Sequence, residues 1–161
     1  MFERLEPDTR RAVIRAAYDE AQGLGSSTLE AEHLLLAVAA DPGTAAGRLL
    51  VESGLDHDGL VAALDLETER SLAAVGVALS DFGLAGRPVA TRRKAGFATS
   101  AKQSLARSVG LASGRGERTL SPVHLLVGIL RGEIGTVPRA LAAAGVDRVE
   151  LIGRAELLLE R

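Results

Sequence analysis

Residues 29–39, LEAEHLLLAVA, and residues 120–130, LSPVHLLVGIL, are two versions of one phrase, and their relation decides the fold. Their histidines, His33 and His124, lie 91 residues apart (124 − 33). The same step takes Gly23 to Gly114, Gly25 to Gly116, Thr28 to Thr119, Arg48 to Arg139, Leu50 to Leu141, Gly54 to Gly145 and Asp56 to Asp147, and it carries the apolar Ile14 onto Leu105. A gap-free register over 14–56 marks an internal duplication, which has to be identified before any fold is assigned. Two units are too few for a solenoid, so they are expected to pack against each other as one pseudo-symmetric domain over 1–161.

Working outward from the phrase, Ala12, Val13, Ala16, Ala17, Ala21 and Leu24 recur at three- and four-residue spacing, which predicts a helix over 8–24 with one apolar stripe. The phrase itself predicts a second helix, ending near DPGT at 41–44. A third is expected over 44–53, closed by Gly54 in a left-handed conformation, and Asp56 caps a fourth that runs through 71. The second unit repeats the order, with helices over 99–111, from Ser121, over 136–144 and over 147–159. Ser121 followed by Pro122 is a strong helix start, because the serine oxygen accepts an orphan amide and proline has none to orphan. The first repeat is thus placed at 1–75 and the second at 97–161. The linker over 76–96 has room for one short helix before a stretch rich in Gly, Pro and Arg that is expected to be mobile. No segment alternates with period two for long enough to be a strand, and the expected fold class is all-α.

Hydrophobic residues make up 47% of the chain and aromatic ones only 2%, so the core must be built from Leu, Ala and Val. Cysteine is absent, which excludes disulfides and thiolate chemistry. The start, MFERLEPDTRR, is charged where a signal peptide needs an apolar run, and LLLAVAA at 34–40 is far short of the ~20 residues that span a bilayer, so a cytoplasmic protein is expected. Charge is uneven along the chain. Residues 1–83 carry 6 Lys and Arg against 15 Asp and Glu, 84–118 carry 8 against 1, and 119–161 carry 5 of each. A nucleic-acid-binding protein using the basic segment 84–118, centred on TRRKAG, is therefore the alternative reading, since Lys and Arg neutralise phosphates. No aromatic residue is interleaved with the charges of TRRKAG itself to stack on bases, which favours a solvated linker and a polar helix face instead.

Catalytic chemistry has little to stand on. No G-x-S-x-G elbow and no phosphate-binding loop occurs, and the G-x-G of GLGSS follows a helix rather than a strand. His33 and His124 occupy matching places in the first turn of a buried helix, where a ring bonded to the backbone orients the helix start, and no metal site or cofactor is expected from them. His57, in DHD at 56–58, has neighbours that point in different directions. The protein is expected not to be an enzyme. Glu32 stands out, because a glutamate in the first turn complements the helix dipole but its partner across the duplication is Val123. That asymmetry marks Glu32 for recognition.

MFER at the amino end, the EA-x-x-LG pattern around 20–25, EHLLLAV at 32–38 and the duplicated layout together resemble the amino-terminal repeat domain of the Clp chaperones, in particular the ClpC branch. The resemblance covers nearly the whole chain and is stronger in the first repeat. It implies a double four-helix repeat that recruits adaptors and substrates. Family members carry ATPase modules after this domain, and a chain ending at Arg161 is expected to be a stand-alone version without a motor.

Further site residues follow from the resemblance alone. Glu32 matches a glutamate that holds the guanidinium of phosphoarginine, while Val123 replaces the second such glutamate. Leu5 and Glu6 stand where the family has a phosphate-contacting threonine, and Glu6 would repel a phosphate. Phe2, Arg11, Phe97, Lys102 and Leu105 match positions of the groove that takes cyclic peptides. Phe2 and Phe97 each precede the first helix of a repeat, which places them near the pseudo-twofold axis as an apolar platform, with Arg11 and Lys102 as a cationic rim. The function so implied is a binding module for a peptide, a degradation-marked protein or a cyclic peptide-like small molecule, modulating Clp-dependent proteolysis as adaptor, decoy or sequestering factor. Its partners would be a Clp ATPase, its adaptors or its clients.

Overall fold

The computed structural model describes residues 7–78, 80 and 95–161. Eight helices occur among them: α1 (Pro7–Gly23), α2 (Ala31–Ala39), α3 (Ala45–Glu52) and α4 (His57–Ala74), then α5 (Thr99–Gly114), α6 (Pro122–Leu130), α7 (Thr136–Ala143) and α8 (Arg148–Leu158). The duplication is visible in the boundaries. The 91-residue step carries α2 onto α6 and α3 onto α7 without a residue to spare at either end.

The caps come from the residues that the spacing singles out. Asp56 Oδ1 accepts the Gly59 N–H at 2.9 Å, and its counterpart Asp147 Oδ1 accepts those of Val149 and Glu150 at 2.9 and 3.1 Å. Gly54 and Gly145 sit at φ 73° and 72°, a left-handed turn that closes α3 and α7 and strains any side chain bearing a Cβ. The chain then doubles back, with Leu55 and Val146 donating to the carbonyls of Leu50 and Leu141 at 2.8 and 3.0 Å. Helix α5 outruns its expected end by a turn, and α4 is longer than its counterpart α8.

Beyond their first turns helices α2 and α6 are apolar all round, and such helices are stable only when covered on every side. Every residue of α2 except Glu32 is buried, as is α6 from Val123 to Leu130. The two pack on each other at the centre, with α1 against α2 and α5 against α6. The repeats also interlock, since α4 lies on α7, and α3 lies on both α6 and α8. One continuous apolar cluster, running from Val13 to Ala155, draws on both repeats.

One feature differs from a purely helical expectation. Thr28–Leu29 (β1) and Gly96–Phe97 (β2) pair in parallel, Thr28 with Gly96 and Leu29 with Phe97, and the Ala98 N–H extends the pairing to the Leu29 carbonyl at 2.9 Å. Two residues carry no readable period, and the partner strand lies far away in sequence. The short helix and the Gly, Pro and Arg-rich stretch expected between the repeats fall mostly on 79 and 81–94, outside the described residues.

Candidate functional site

The start of α2 is built from side chains that replace missing helix bonds. His33 Nδ1 accepts the Glu30 N–H at 2.9 Å, and at the matching place on α6 His124 Nδ1 accepts the Ser121 N–H at 3.1 Å. An accepting Nδ1 carries no proton, and both rings are almost fully enclosed, at 3% and 1% exposure. Burial lowers both pKa values, against the pull of Glu30 and Glu20 on His33 and of Glu117, whose Oε2 lies 3.3 Å from Nε2, on His124. These histidines position helices, as their spacing predicts.

Around this cap the repeats are stitched together. The Glu30 carboxylate accepts hydrogen bonds from Thr28 Oγ1 at 3.1 Å and from the Ser100 hydroxyl on α5, while Ser100 Oγ accepts the Ala31 N–H at 3.0 Å. Beyond Ser100 opens a cleft of about 170 Å³, whose walls include Glu30, Glu32, Ser100, Gln103 and Arg107, with Ile129, Val137 and Pro138 among its apolar residues. Ile134, 92% exposed, also borders it. Glu32 is half-buried there and has no ion pair among the described residues. Burial pushes its carboxyl above the usual value, Glu30 and Glu67 push the same way, and its own N–H and the charge of Arg139 oppose them. Arg139 itself is held by the buried Glu67, Nε to Oε1 at 2.7 Å.

The other expected site residues do not line this cleft. Arg11 and Lys102 are exposed on α1 and α5. Phe97 is half-buried on β2, its ring edge-on to Tyr18 with centroids 6.0 Å apart and planes at 75°. Leu105 requires a correction: at 2% exposure it belongs to the core, so it supports the surface from beneath and offers a ligand no contact. Phe2, Leu5 and Glu6 lie outside the described residues, as do 84–94 of the basic segment. Of that segment's remaining cations, Arg107 turns into the cleft, and Arg115 bonds Glu117 at 2.9 Å and the Leu159 carbonyl.

Cleft residues that spacing alone leaves unmarked are Glu30, Ser100 and Arg107. A signal for the last exists in the duplication. On α1 the core-facing positions are Val13, Ala16 and Ala17, and their counterparts on α5 are Ser104, Arg107 and Ser108, so one copy of an apolar face has turned polar.

The fold is a duplicated helical bundle with an open, charged cleft at the seam of its repeats. The chain belongs to the family of the Clp repeat (R) N-terminal domain, which matches residues 8–81 and 96–161. Domains of this family are protein-interaction modules of Clp chaperones that bind substrates or adaptors and are not catalytic. The chaperone protein ClpD2 of the rice chloroplast is 28% identical over 157 residues, which is 96% of this chain and 15% of that protein. Among solved structures, the N-terminal domain of the chaperone ClpD from Arabidopsis thaliana superposes with a TM-score of 0.72 at 20% identity, over 100% of this chain and 97% of that one. The Hsp104 N-terminal domain from Candida albicans gives 0.61 at 16% identity, over 92% of this chain and 87% of that one. The two structural likenesses speak for the fold.

Proposed function

We propose that this chain is a non-enzymatic recognition module that binds an extended protein or peptide segment in the cleft at the start of α2, with Glu32 receiving a cationic side chain, and so acts on Clp-dependent proteolysis as adaptor, decoy or sequestering factor. The observation that carries this reading is the Glu32 carboxylate, half-buried in an open cleft without an ion-pair partner among the described residues. A desolvated carboxylate gains most from a guanidinium or ammonium brought to it, because a charge-assisted hydrogen bond is about twice as strong as a neutral one. The second glutamate of a two-site phosphoarginine scheme is Val123, buried in α6, so at most one site of that kind remains.

Calorimetric titration tests the reading. An arginine-bearing peptide should give saturable heat that falls at least tenfold in affinity in Glu32→Gln, about 1.4 kcal/mol. Free phosphoarginine in the same cell asks whether the phosphate adds anything. Absence of heat from every arginine ligand at millimolar concentration would remove the cleft as the recognition site. A second surface, carrying Phe97 with Arg11 and Lys102 exposed on the neighbouring helices, is proposed for peptide-like small molecules.

A further inference from the structure

The cleft holds a second charge, Arg107, that forms no ion pair among the described residues. Arg107 shares a face of α5 with Ser100 and Ser104, which precede it by seven and three residues. Its Nε donates to the Gly128 carbonyl at 2.7 Å and one Nη to Ser104 Oγ at 3.3 Å. A guanidinium has five N–H donors, so donors remain to be used. Among the described residues no carboxylate forms an ion pair with it, and burial alone bears on its proton affinity, lowering it. A half-desolvated cation without a counter-ion is costly to keep. The backbone beside it is bare, because the neighbouring residue is Gly132, where a Cβ would stand 3.1 Å from Nη2.

The opposite charge is close by. The Glu30 carboxylate is tied to Ser100, and the guanidinium to Ser104, one turn further along α5. Four residues of helix rise about 6 Å. Glu32 and Glu133 line the same cleft, so carboxylates and a guanidinium share it, with Glu30 and Arg107 anchored about one helical turn apart on α5. In an extended chain, side chains two residues apart project from the same side at about 7 Å.

We infer that the cleft reads a dipolar segment: an Arg or Lys side chain at Glu32 and, two residues away in extended conformation, an Asp or Glu side chain at Arg107. The inference rests on the proposal that Glu32 receives a cation. It adds that the second anchor is anionic and that Arg107 selects it.

Fluorescence anisotropy with the full chain and three labelled peptides tests this, each with Gly-Ser flanks, built on Arg-Gly-Glu, Arg-Gly-Gln and Gln-Gly-Glu, and each made in both chain directions. The unaltered chain should bind the Arg-Gly-Glu peptide about tenfold tighter than Arg-Gly-Gln, the worth of one charge-assisted bidentate contact. Arg107→Met should erase that preference while the preference for Arg over Gln survives, and Arg107→Lys should retain part of it. Because Arg107 also bonds the end of α6, thermal unfolding of each variant is recorded; if Arg107→Met fails to fold, the peptide exchange in the unaltered chain and in Arg107→Lys decides. Equal binding of Arg-Gly-Glu and Arg-Gly-Gln, or a preference that persists in Arg107→Met, overturns the role of Arg107 and leaves that of Glu32 standing. Binding that is indifferent to Glu32→Gln, or no binding of any peptide, overturns the cleft reading and this inference with it.

Discussion

Replacing Gly128 with alanine should be among the most damaging one-carbon changes in this protein. Gly128 lies in α6 where α5 crosses it, and a Cβ there would stand 2.1 Å from Ser108 Oγ, 2.5 Å from the Ser104 carbonyl oxygen and 2.9 Å from the Ser108 nitrogen. The hydroxyl can rotate away only by giving up its bond to Ser104 O at 2.8 Å, and the backbone atoms cannot yield without moving α5 as a body. Overpacking of this kind costs about 1–3 kcal/mol, and the lost hydrogen bond adds about 1 kcal/mol. Alanine's better helix propensity returns about 1 kcal/mol, leaving a net loss of about 2 kcal/mol. For a chain of this size that lowers Tm by about 4–8 °C in scanning calorimetry. Gly153, exposed on α8 with nothing within 4 Å of its would-be Cβ, supplies the control. Gly153→Ala keeps only the propensity gain and should raise Tm by about 2–4 °C. If Gly128→Ala matched the unaltered chain, or both variants moved in one direction, the close approach of α5 and α6 would be refuted.

Phe97→Ala removes a half-buried ring from its edge contact with Tyr18 and should cost about 1–2 kcal/mol, a Tm loss of a few degrees, while a peptide-like ligand bound at that surface should weaken by about 2 kcal/mol; equal losses in folding and binding would assign the ring to packing alone. Burial pushes the Glu67 carboxyl up, but the Ser71 hydroxyl and Arg139 outweigh it and hold its pKa below the usual value. A double-mutant cycle of Glu67→Ala with Arg139→Ala should therefore show a coupling of about 0.5–1.5 kcal/mol, and additivity would mean that water replaces the pair without cost. Because both histidine caps have pKa values below the ordinary 6.5, the folded state binds their protons less readily than the unfolded chain. The stability this supplies is whole above pH 6.5 and is lost as pH falls from there through the folded values, by up to about 1.4 kcal/mol per pH unit for each histidine. Urea midpoints measured from pH 8 to 5 should show that loss and should lose half its slope in His124→Gln; a flat profile would mean that protonated caps are tolerated.

The helices were legible because one copy of the repeat checks the other. Asp56 and Asp147, or Gly54 and Gly145, are weak signals singly and strong ones as pairs at a fixed step. Strands β1 and β2 escape such reading, since two residues cannot display a period and the pairing joins segments from different repeats. Glu32 was visible through its mismatch with Val123, whereas Ser100 and Arg107 become site residues only when α5 meets the start of α2, a contact that spacing along the chain does not encode. Leu105 shows the converse. Its counterpart is the apolar Ile14, which is only half-buried, so the matched position does not reveal that α5 buries Leu105 in the core.

The meeting of α2 and α6 at the centre bears on how such a domain arises. A single repeat would leave its largely apolar second helix bare on one side, and here the face that covers it belongs to the matching helix of the other repeat. That is an isologous contact, closed by a twofold axis. The present chain therefore has the geometry of a homodimer whose subunits have become covalently continuous, and continuity releases the two halves from having to stay alike. A cleft with glutamate on one wall and arginine on the other is what a symmetric pair could form only twice or not at all; fused, the chain forms it once.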